Sequence, residues 1–225
     1  MIPIRDENPT HQVPVVTYLL IVLNVAAFIF QVSLGQNSQA LIDQFALHPA
    51  RLTSNPSLAN IMNIFTSMFM HAGLAHIIGN MLYLWIFGDN VEDRMGSFRY
   101  FLFYITGGLL ASLAHVLTNP NSTVPTVGAS GAIAAVLGAY FVLYPRQKVV
   151  TLIPLGFYMR MTVLPAGLVL GAWFLLQFFQ GVASLGGPDV GGVAFWAHIG
   201  GFVVGLALGK ILDLGEPDSQ SFQWE

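Results

Sequence analysis

The chain has 225 residues, of which 55% are hydrophobic and only 8% are charged, with a formal net charge of −3. A soluble globular domain carries about 25% charged residues, so this composition indicates a membrane protein. The slight negative charge and the lack of basic runs argue against nucleic acid as a partner. The sequence contains no cysteine, which excludes disulfides and thiolate metal sites.

Six apolar stretches predict six membrane-spanning helices in an all-α bundle. Their predicted ranges are 15–32, 68–87, 100–117, 129–144, 161–180 and 193–212. No repeat or linker indicates a second unit, so we expect one membrane domain over 13–212 with short tails at 1–12 and 213–225. The long connection near 33–67 is too interrupted to span and is expected to lie in the membrane interface.

The basic residues predict how the chain is oriented in the membrane. With six spans, both tails and the connections near 88–99 and 145–160 lie on one side. Only Arg51 falls on the other side, while the remaining seven of the eight basic residues share the first: Arg5, Arg94, Arg99, Arg146, Lys148, Arg160 and Lys210. Basic residues concentrate on the cytoplasmic side of membrane proteins. We therefore expect a multi-pass protein of the cell (inner) membrane with both termini cytoplasmic.

A few polar side chains inside the predicted spans carry the functional signal, because such residues are costly in a membrane. Ser130 lies between two glycines at the start of the fourth span, and His198 lies near the start of the sixth. His76 and Asn80 are four residues apart in the second span, so they share one helix face. A hydroxyl is a weak nucleophile unless a base lies within hydrogen-bond reach. Ser130 and His198 therefore predict a Ser–His pair.

Small residues predict that the fourth and sixth spans pack closely together. Gly131 and several alanines follow Ser130, while Gly201 and Gly205 share a face with His198. Such surfaces allow two helix backbones to approach each other. The fourth span has only about 16 residues, or about 24 Å, against a hydrocarbon thickness of about 30 Å. The predicted site therefore lies below the extracytoplasmic surface and opens to that side.

The acidic residues argue against other intramembrane protease chemistries. None of the eleven falls in a predicted span, so no carboxylate is expected to orient His198. An aspartyl protease would need two facing intramembrane aspartates. The His-Glu-x-x-His pattern of a zinc protease is also absent. We expect neither a metal nor a cofactor.

Together these residues resemble the rhomboid family of intramembrane serine proteases. The resemblance covers all six spans and rests on four motifs: His71 with His76 and Asn80, Gly88-Asp89-Asn90-Val91-Glu92-Asp93-Arg94-Met95-Gly96, Gly128-Ala129-Ser130-Gly131, and Ala197-His198-Ile199-Gly200-Gly201. It implies a six-helix bundle that hydrolyses peptide bonds within or next to transmembrane segments of other membrane proteins.

The resemblance also implies roles for individual residues. Ser130 would be the nucleophile, and His198 the general base and acid. His76, Asn80 and the backbone N–H of Ser130 would form the oxyanion hole, and Gly128 would help to hold the substrate backbone. A substrate helix would reach the site laterally beside the fifth span, with the glycine-rich connection near 181–192 as a lid. Four aromatic residues of that span would form the gate: Trp173, Phe174, Phe178 and Phe179.

Two positions depart from the family pattern. Many members carry an aromatic residue four positions after the serine, packed against the catalytic histidine, whereas this chain has Ala134. A Trp-Arg pair often found in the first outer connection is replaced by Met62-Asn63. The first departure concerns how His198 is held, and the second concerns how the 33–67 connection is anchored.

Two other functions fit parts of the same pattern. A non-enzymatic rhomboid-like protein could bind transmembrane helices, although such members have usually lost the serine or the histidine. A transporter or channel could relay protons through intramembrane histidines, but the repeated halves common in transporters are not seen. His76 and Asn80 could also be no more than a packing pair.

Overall fold

The computed structural model describes residues 1–156, 158–185 and 192–213, which are mostly helical. Its α-helices, in chain order, are α1 (Val15–Ser33), α2 (Ser38–Phe45), α3 (Pro49–Ser54), α4 (Leu58–Thr66), α5 (Leu74–Met95), α6 (Ser97–Thr118), α7 (Ser130–Leu143), α8 (Ala166–Ser184) and α9 (Phe195–Leu212). Three strands, β1 (Ile2–Asp6), β2 (Lys148–Leu155) and β3 (Tyr158–Pro165), form one antiparallel sheet.

The predicted helical bundle is confirmed, and α7 is its centre. Every residue from Gly131 to Tyr140 is buried. The helix contacts α5, α6, α8 and α9. Because these residues are buried inside the bundle, α7 is surrounded by protein rather than by lipid. Ser130, the first residue of α7, is therefore held on a central helix that is packed on all sides.

Length and apolar composition are those of a multi-pass membrane protein. Among the described residues, α1, α6, α8 and α9 are each long and apolar enough to cross a membrane. The segment Leu58–Phe69 joins Leu74–Met95 in a pair bent by 77°, which would add a fifth crossing. The central helix α7 has 14 residues, or about 21 Å, and is shorter than the hydrocarbon core.

Two predicted spans have different boundaries in the structure. The second begins at Leu74 rather than near 68 and continues to Met95. As a result, Asp89, Glu92 and Asp93 lie in the last turns of a helix and not in a connection. The fifth begins at Ala166 rather than near 161, because the residues before it form β3.

The sheet joins the N-terminal tail to the connection between α7 and α8. Ile2 of β1 pairs with Leu152, and Asp6 pairs with Val149. Strands β2 and β3 form a hairpin in which Gly156 has a φ of 63°, a left-handed conformation that favours glycine. Neither the tail nor the connection was predicted to contain strands. We call the end of the bundle that carries the sheet the sheet end, and the opposite end the serine end.

A buried carboxylate holds the helices together at the sheet end. Glu92 of α5 is 2% exposed. Its carboxylate accepts hydrogen bonds from the backbone N–H groups of Val16 and Thr17 at 2.9 and 2.8 Å, from the Thr17 hydroxyl at 2.8 Å and from the Ser97 hydroxyl at 2.6 Å. The first N–H groups of a helix have no intrahelical partner. Glu92 therefore caps α1 and also ties it to the start of α6.

The connection before α5 is helical and is anchored by side chains that bind backbone carbonyls. The Asn63 amide donates to the Gln44 carbonyl at 3.0 Å, and the Thr66 hydroxyl donates to the Phe45 carbonyl at 2.8 Å. Leu47 also pairs through its backbone with Thr126. This last pairing supports the segment that leads into α7, and so it helps to position Ser130.

Candidate active site

Ser130 and His198 lie within hydrogen-bonding distance at the serine end. Ser130 is the first residue of α7, and His198 lies in the first turn of α9. The Ser130 Oγ and the His198 Nε2 are 2.8 Å apart. The imidazole is only 8% exposed, while Ser130 is half-buried. The pair is thus largely removed from bulk solvent, with the hydroxyl on the more open side.

Close packing of α7 and α9 brings the two side chains together. A Cβ atom added to Gly201 would collide with the Gly131 carbonyl oxygen, and one added to Gly205 would collide with the Ala135 carbonyl oxygen. Gly131 in turn has the Ala111 Cβ only 2.9 Å from the place where its own Cβ would lie. Glycine at these positions therefore allows contacts between helix backbones that larger residues prevent.

Gly128 lies directly beside His76 and Asn80. It has a φ of +125°, a conformation that L side chains rarely adopt. A Cβ at this position would lie 2.8 Å from the His76 Nε2 and 3.5 Å from the Asn80 Nδ2. The Gly128 N–H donates to the Ser67 carbonyl at 2.9 Å, which fixes the segment just before α7. Glycine is needed here both for its backbone conformation and for the space beside His76.

Two side-chain nitrogens border this space, those of His76 and Asn80, and the backbone N–H of Ser130 lies two residues along the chain from Gly128. The Asn80 Nδ2 is buried and has no hydrogen-bond partner among the described residues. The Ala72 N–H donates to the His76 Nδ1 at 3.4 Å, so a neutral His76 ring carries its proton on Nε2, the atom beside Gly128. The N–H of Ser130 belongs to the first turn of α7, where no intrahelical carbonyl is available.

A cavity of about 200 Å³ connects these groups. Ser130, His198, His76 and Asn80 all line it, and its remaining walls are small or apolar: Ala75, Gly79, Tyr83, Ile133, Leu137 and Trp173. A cavity of about 270 Å³ beside Arg99 lies at the sheet end and contains none of the predicted site residues.

Gln177 and Trp173 of α8 lie against the His198 ring. The sequence did not predict either contact. The Gln177 Oε1 is 2.7 Å from the His198 Nδ1. The Trp173 ring has its centroid 5.8 Å from that of His198, at an interplanar angle of 34°. Ala134 is fully buried, and a Cβ on Gly201 would lie 3.1 Å from its Cβ. Ala134 therefore packs against α9, and α8 supplies the aromatic contact to the histidine.

The predicted gate residues divide into two groups. Trp173 and Phe174 face α9, where Phe174 stacks on Phe202 with ring centroids 4.7 Å apart. Phe178 and Phe179 point outward and are 39% and 65% exposed. Residues 186–191 of the predicted lid lie outside the described residues.

His71 does not line the cavity, although it lies close to His76. Its ring is fully buried and meets the His76 ring edge-on, with centroids 5.2 Å apart. Its backbone is fixed by Gln31, whose side-chain amide donates to the His71 carbonyl at 2.6 Å. These contacts make His71 a support for the start of α5.

Comparisons with known proteins identify the family to which this chain belongs. The rhomboid domain family model matches residues 59–213, which is more than half of the chain. The chain is 30% identical over 191 residues to the rhomboid protease GluP of Bacillus subtilis (strain 168), covering 79% of this chain and 36% of that protein. It is 30% identical over 205 residues to the mouse (Mus musculus) rhomboid-related protein 2, covering 87% of this chain and 63% of that protein.

A third relative extends the similarity to an organelle protein. The chain is 32% identical over 150 residues to the zebrafish (Danio rerio) mitochondrial presenilin-associated rhomboid-like protein A, covering 62% of this chain and 38% of that protein. The chain thus spans less than two thirds of the length of each of these three relatives. The similarity covers the helices that carry the candidate site, and this protein belongs to the rhomboid family.

Proposed function

We propose that this protein is a serine endopeptidase that cleaves peptide bonds within or next to transmembrane segments of membrane proteins. The observation that carries the proposal is the 2.8 Å contact between the Ser130 Oγ and the His198 Nε2. This contact lies in a cavity that His76 and Asn80 also line. Nucleophile, base and oxyanion donors are the minimum set for hydrolysis of an amide through an acyl-enzyme.

In the first half of the reaction, Ser130 Oγ bonds to the substrate carbonyl carbon while its proton moves to His198 Nε2. The carbonyl oxygen gains the electron pair of the broken π bond. It accepts hydrogen bonds from Asn80 Nδ2, His76 Nε2 and the Ser130 N–H. The tetrahedral intermediate then loses the amine as the C–N bond breaks, and the proton on Nε2 moves to the departing nitrogen.

In the second half, water releases the acyl group. His198 Nε2 takes a proton from a water molecule while the oxygen of that water bonds to the acyl carbon. The ester bond to Ser130 then breaks, and the proton returns from Nε2 to Oγ. The same histidine nitrogen therefore serves as base and acid in both halves.

The charge distribution supports a cytoplasmic location for the sheet end. Seven of the eight basic residues lie in segments at that end, and only Arg51 lies in a segment at the serine end. By the positive-inside rule, both tails would be cytoplasmic, and the membrane domain at 13–212 would open its site to the extracytoplasmic side of the cell membrane. Because α7 spans only about 21 Å, its Ser130 end would lie below the membrane surface.

The cavity supports a preference for a small side chain at the cleaved bond. Its volume of about 200 Å³ is limited by Tyr83, Leu137 and Trp173. The substrate segment would pass beside α8, where Phe178 and Phe179 are exposed. It would need to unwind there, because a helix buries its carbonyl groups in its own hydrogen bonds.

Labelling with a fluorophosphonate probe tests the proposal directly. The wild type should be labelled, whereas Ser130→Ala and His198→Ala should not, because the probe reacts only with an activated serine. Ser33→Ala and His11→Ala change an exposed serine and an exposed histidine and should be labelled like the wild type. A folded wild type that neither reacts with the probe nor cleaves a transmembrane reporter in lipid would contradict the proposal and favour a non-enzymatic helix-binding protein.

A further inference from the structure

Gln177 forms the second of two hydrogen bonds that hold the His198 ring. Its Oε1 lies 2.7 Å from Nδ1, while Ser130 Oγ lies 2.8 Å from Nε2 on the other side of the ring. Gln177 is 8% exposed, although most residues around it on α8 face outward. A buried polar side chain on an otherwise lipid-facing helix is costly unless it has a partner. Here the partner is the base of the proposed reaction.

In a neutral imidazole, the partner of Nδ1 determines whether Nε2 can accept a hydrogen bond. Such a ring carries one proton, and the nitrogen that lacks it is the only one that can accept. An amide oxygen cannot donate, so Gln177 Oε1 selects the form with the proton on Nδ1. In that form, Nε2 has a free lone pair directed at the Ser130 hydroxyl. The opposite form would place a proton between Nε2 and Oγ and prevent proton abstraction.

We propose that Gln177 is a positioning residue that fixes the Nδ1–H tautomer and the ring orientation of His198. The proposal rests on the proposed function of Ser130 and His198. It gives the pair a third member that occupies the place of the carboxylate in a Ser-His-Asp triad. The amide remains neutral throughout, and the proton on Nδ1 stays on the ring while Nε2 gains and loses the proton of Ser130.

A neutral partner suits this position better than a carboxylate. The His198 ring is buried between α7, α8 and α9, and an ionised carboxylate there would lose its hydration without a cation to pair with it. An amide oxygen meets the same geometric requirement at a much smaller desolvation cost. Trp173 lies four residues before Gln177, so both side chains project from one face of α8 towards His198. One helix face therefore supplies the hydrogen bond and the aromatic contact.

Two substitutions at this position separate the role of the acceptor from that of packing. Gln177→Leu removes the acceptor and keeps a similar volume, whereas Gln177→Glu keeps an acceptor at the same reach. Gln180→Leu is the matched control, because Gln180 is an exposed glutamine on the same helix. Two quantities are measured: the rate of labelling by a fluorophosphonate probe, and the His198 tautomer by ¹⁵N NMR of histidine-labelled protein at a pH where the ring is neutral.

We expect Gln177→Leu to be labelled about 10- to 100-fold more slowly than the wild type. We also expect its His198 signal to change from the Nδ1–H form to a mixture of tautomers. Gln177→Glu should be labelled faster than Gln177→Leu, and Gln180→Leu should match the wild type in both measurements. The proposal is overturned if either quantity in Gln177→Leu stays at the wild-type value.

The two measurements also separate this inference from the proposed function. A folded wild type that is not labelled and does not cleave a transmembrane reporter in lipid contradicts the proposed protease activity. The tautomer of His198 can still be measured in that protein, and it alone then decides the role of Gln177. A purely structural role would slow labelling through partial unfolding but would leave the tautomer of the folded protein unchanged.

Discussion

Gly201 of α9 lies so close to Gly131 of α7 that a Cβ atom on Gly201 would collide with the Gly131 carbonyl oxygen. This contact is one residue beyond Ser130 and three beyond His198. The separation of the two helices at this point therefore sets the distance between the Ser130 and His198 side chains. Any side chain that increases the separation must also lengthen the 2.8 Å contact between Oγ and Nε2.

We expect Gly201→Val to lower both stability and activity. Forcing extra carbon atoms into a packed contact costs about 1–3 kcal/mol, and here the obstacle is backbone that cannot rotate away. Thermal unfolding in detergent and fluorophosphonate labelling would measure the two effects. Gly171→Ala is the control, because an added Cβ would meet only the Phe141 ring at an ordinary 3.5 Å. A Gly201→Val protein as stable and reactive as the wild type would contradict the role assigned to the contact.

Asn80→Ala should lose activity without losing stability. Its Nδ2 has no hydrogen-bond partner among the described residues, so truncation breaks no internal bond made by that atom. Removing one oxyanion donor costs about 100- to 1,000-fold in kcat. We expect that loss with KM little changed and with the free energy of unfolding altered by less than about 1 kcal/mol.

Asn90→Ala is the control for Asn80→Ala, because it should change stability and leave activity unaffected. The Asn90 side chain donates to the Asn8 carbonyl at 3.0 Å at the sheet end, far along α5 from the cavity. Its removal should lower stability by about 1 kcal/mol and leave kcat unchanged. If Asn80→Ala instead unfolds more readily and keeps its kcat, then Asn80 is a packing residue and not an oxyanion donor.

The parts of the site that depend on short sequence patterns could be predicted, because those patterns have a direct geometric meaning. His76 and Asn80 are four residues apart on one helix, and the structure places them on one side of the cavity. The spacing of Gly201 and Gly205 indicates a face for close packing, and these glycines contact α7. The family prediction and the helical bundle are confirmed. Both predictions depend on local motifs and apolar stretches, which can be recognised without knowing which distant segments are in contact.

The remaining parts depend on contacts between distant segments. Gln177 is one glutamine in an apolar helix, and only its four-residue spacing from Trp173 suggests a shared face. Which helix that face meets is not encoded locally. Residues 158–165 contain four apolar residues exposed on β3, Tyr158, Met159, Met161 and Val163. A short apolar run of this kind cannot be distinguished from part of a span by periodicity.

Glu92→Ala should destabilise the bundle more than any exposed charge substitution. The carboxylate accepts four hydrogen bonds, and truncation would leave the first N–H groups of α1 without partners. Each hydrogen bond to a charged group contributes about 1.5–3 kcal/mol, so we expect a loss of at least about 3 kcal/mol in the free energy of unfolding. Glu7→Ala, at an exposed position, is the control. A comparable stability of the two variants would show that Glu92 does not cap α1.

The carboxyl group of Asp6 predicts a pH dependence of stability. Burial raises the pKa of Asp6 above its ordinary value of 3.8, and the Tyr140 hydroxyl, which donates at 2.7 Å, opposes part of this shift. A raised pKa in the folded state means that folding favours the protonated acid. The stabilising contribution of Asp6 to the folded state is therefore complete below about pH 4 and is lost as pH rises through the folded-state pKa.

Asp6→Asn removes this dependence, because its amide does not ionise. We expect the stability of Asp6→Asn relative to the wild type to increase as pH rises from about 4 towards neutrality. Denaturation in detergent at several pH values measures the difference, and Glu7→Gln serves as the exposed control. A difference between Asp6→Asn and the wild type that stays constant over this range, or falls, would contradict the assignment.

We expect truncation of two aromatic residues of α8, Trp173 and Phe179, to have opposite effects on turnover. Trp173 packs against the ring of His198, the proposed base, so Trp173→Ala should loosen that ring and lower kcat. Phe179 is 65% exposed and contacts Phe178 on the outward face, where a substrate helix would pass. Phe179→Ala should ease that passage and raise turnover about two- to fivefold, which corresponds to a barrier lower by about 0.5–1 kcal/mol.

Cleavage of a transmembrane reporter in liposomes, compared with labelling by the small fluorophosphonate probe, separates the two roles. Trp173→Ala should slow both reactions, because both need an oriented His198. Phe179→Ala should accelerate only cleavage of the reporter, because the probe does not need to pass between helices. Leu168→Ala, an exposed residue near the sheet end of α8, should change neither rate. Slower reporter cleavage by a stable Phe179→Ala protein would place substrate access away from this face of α8.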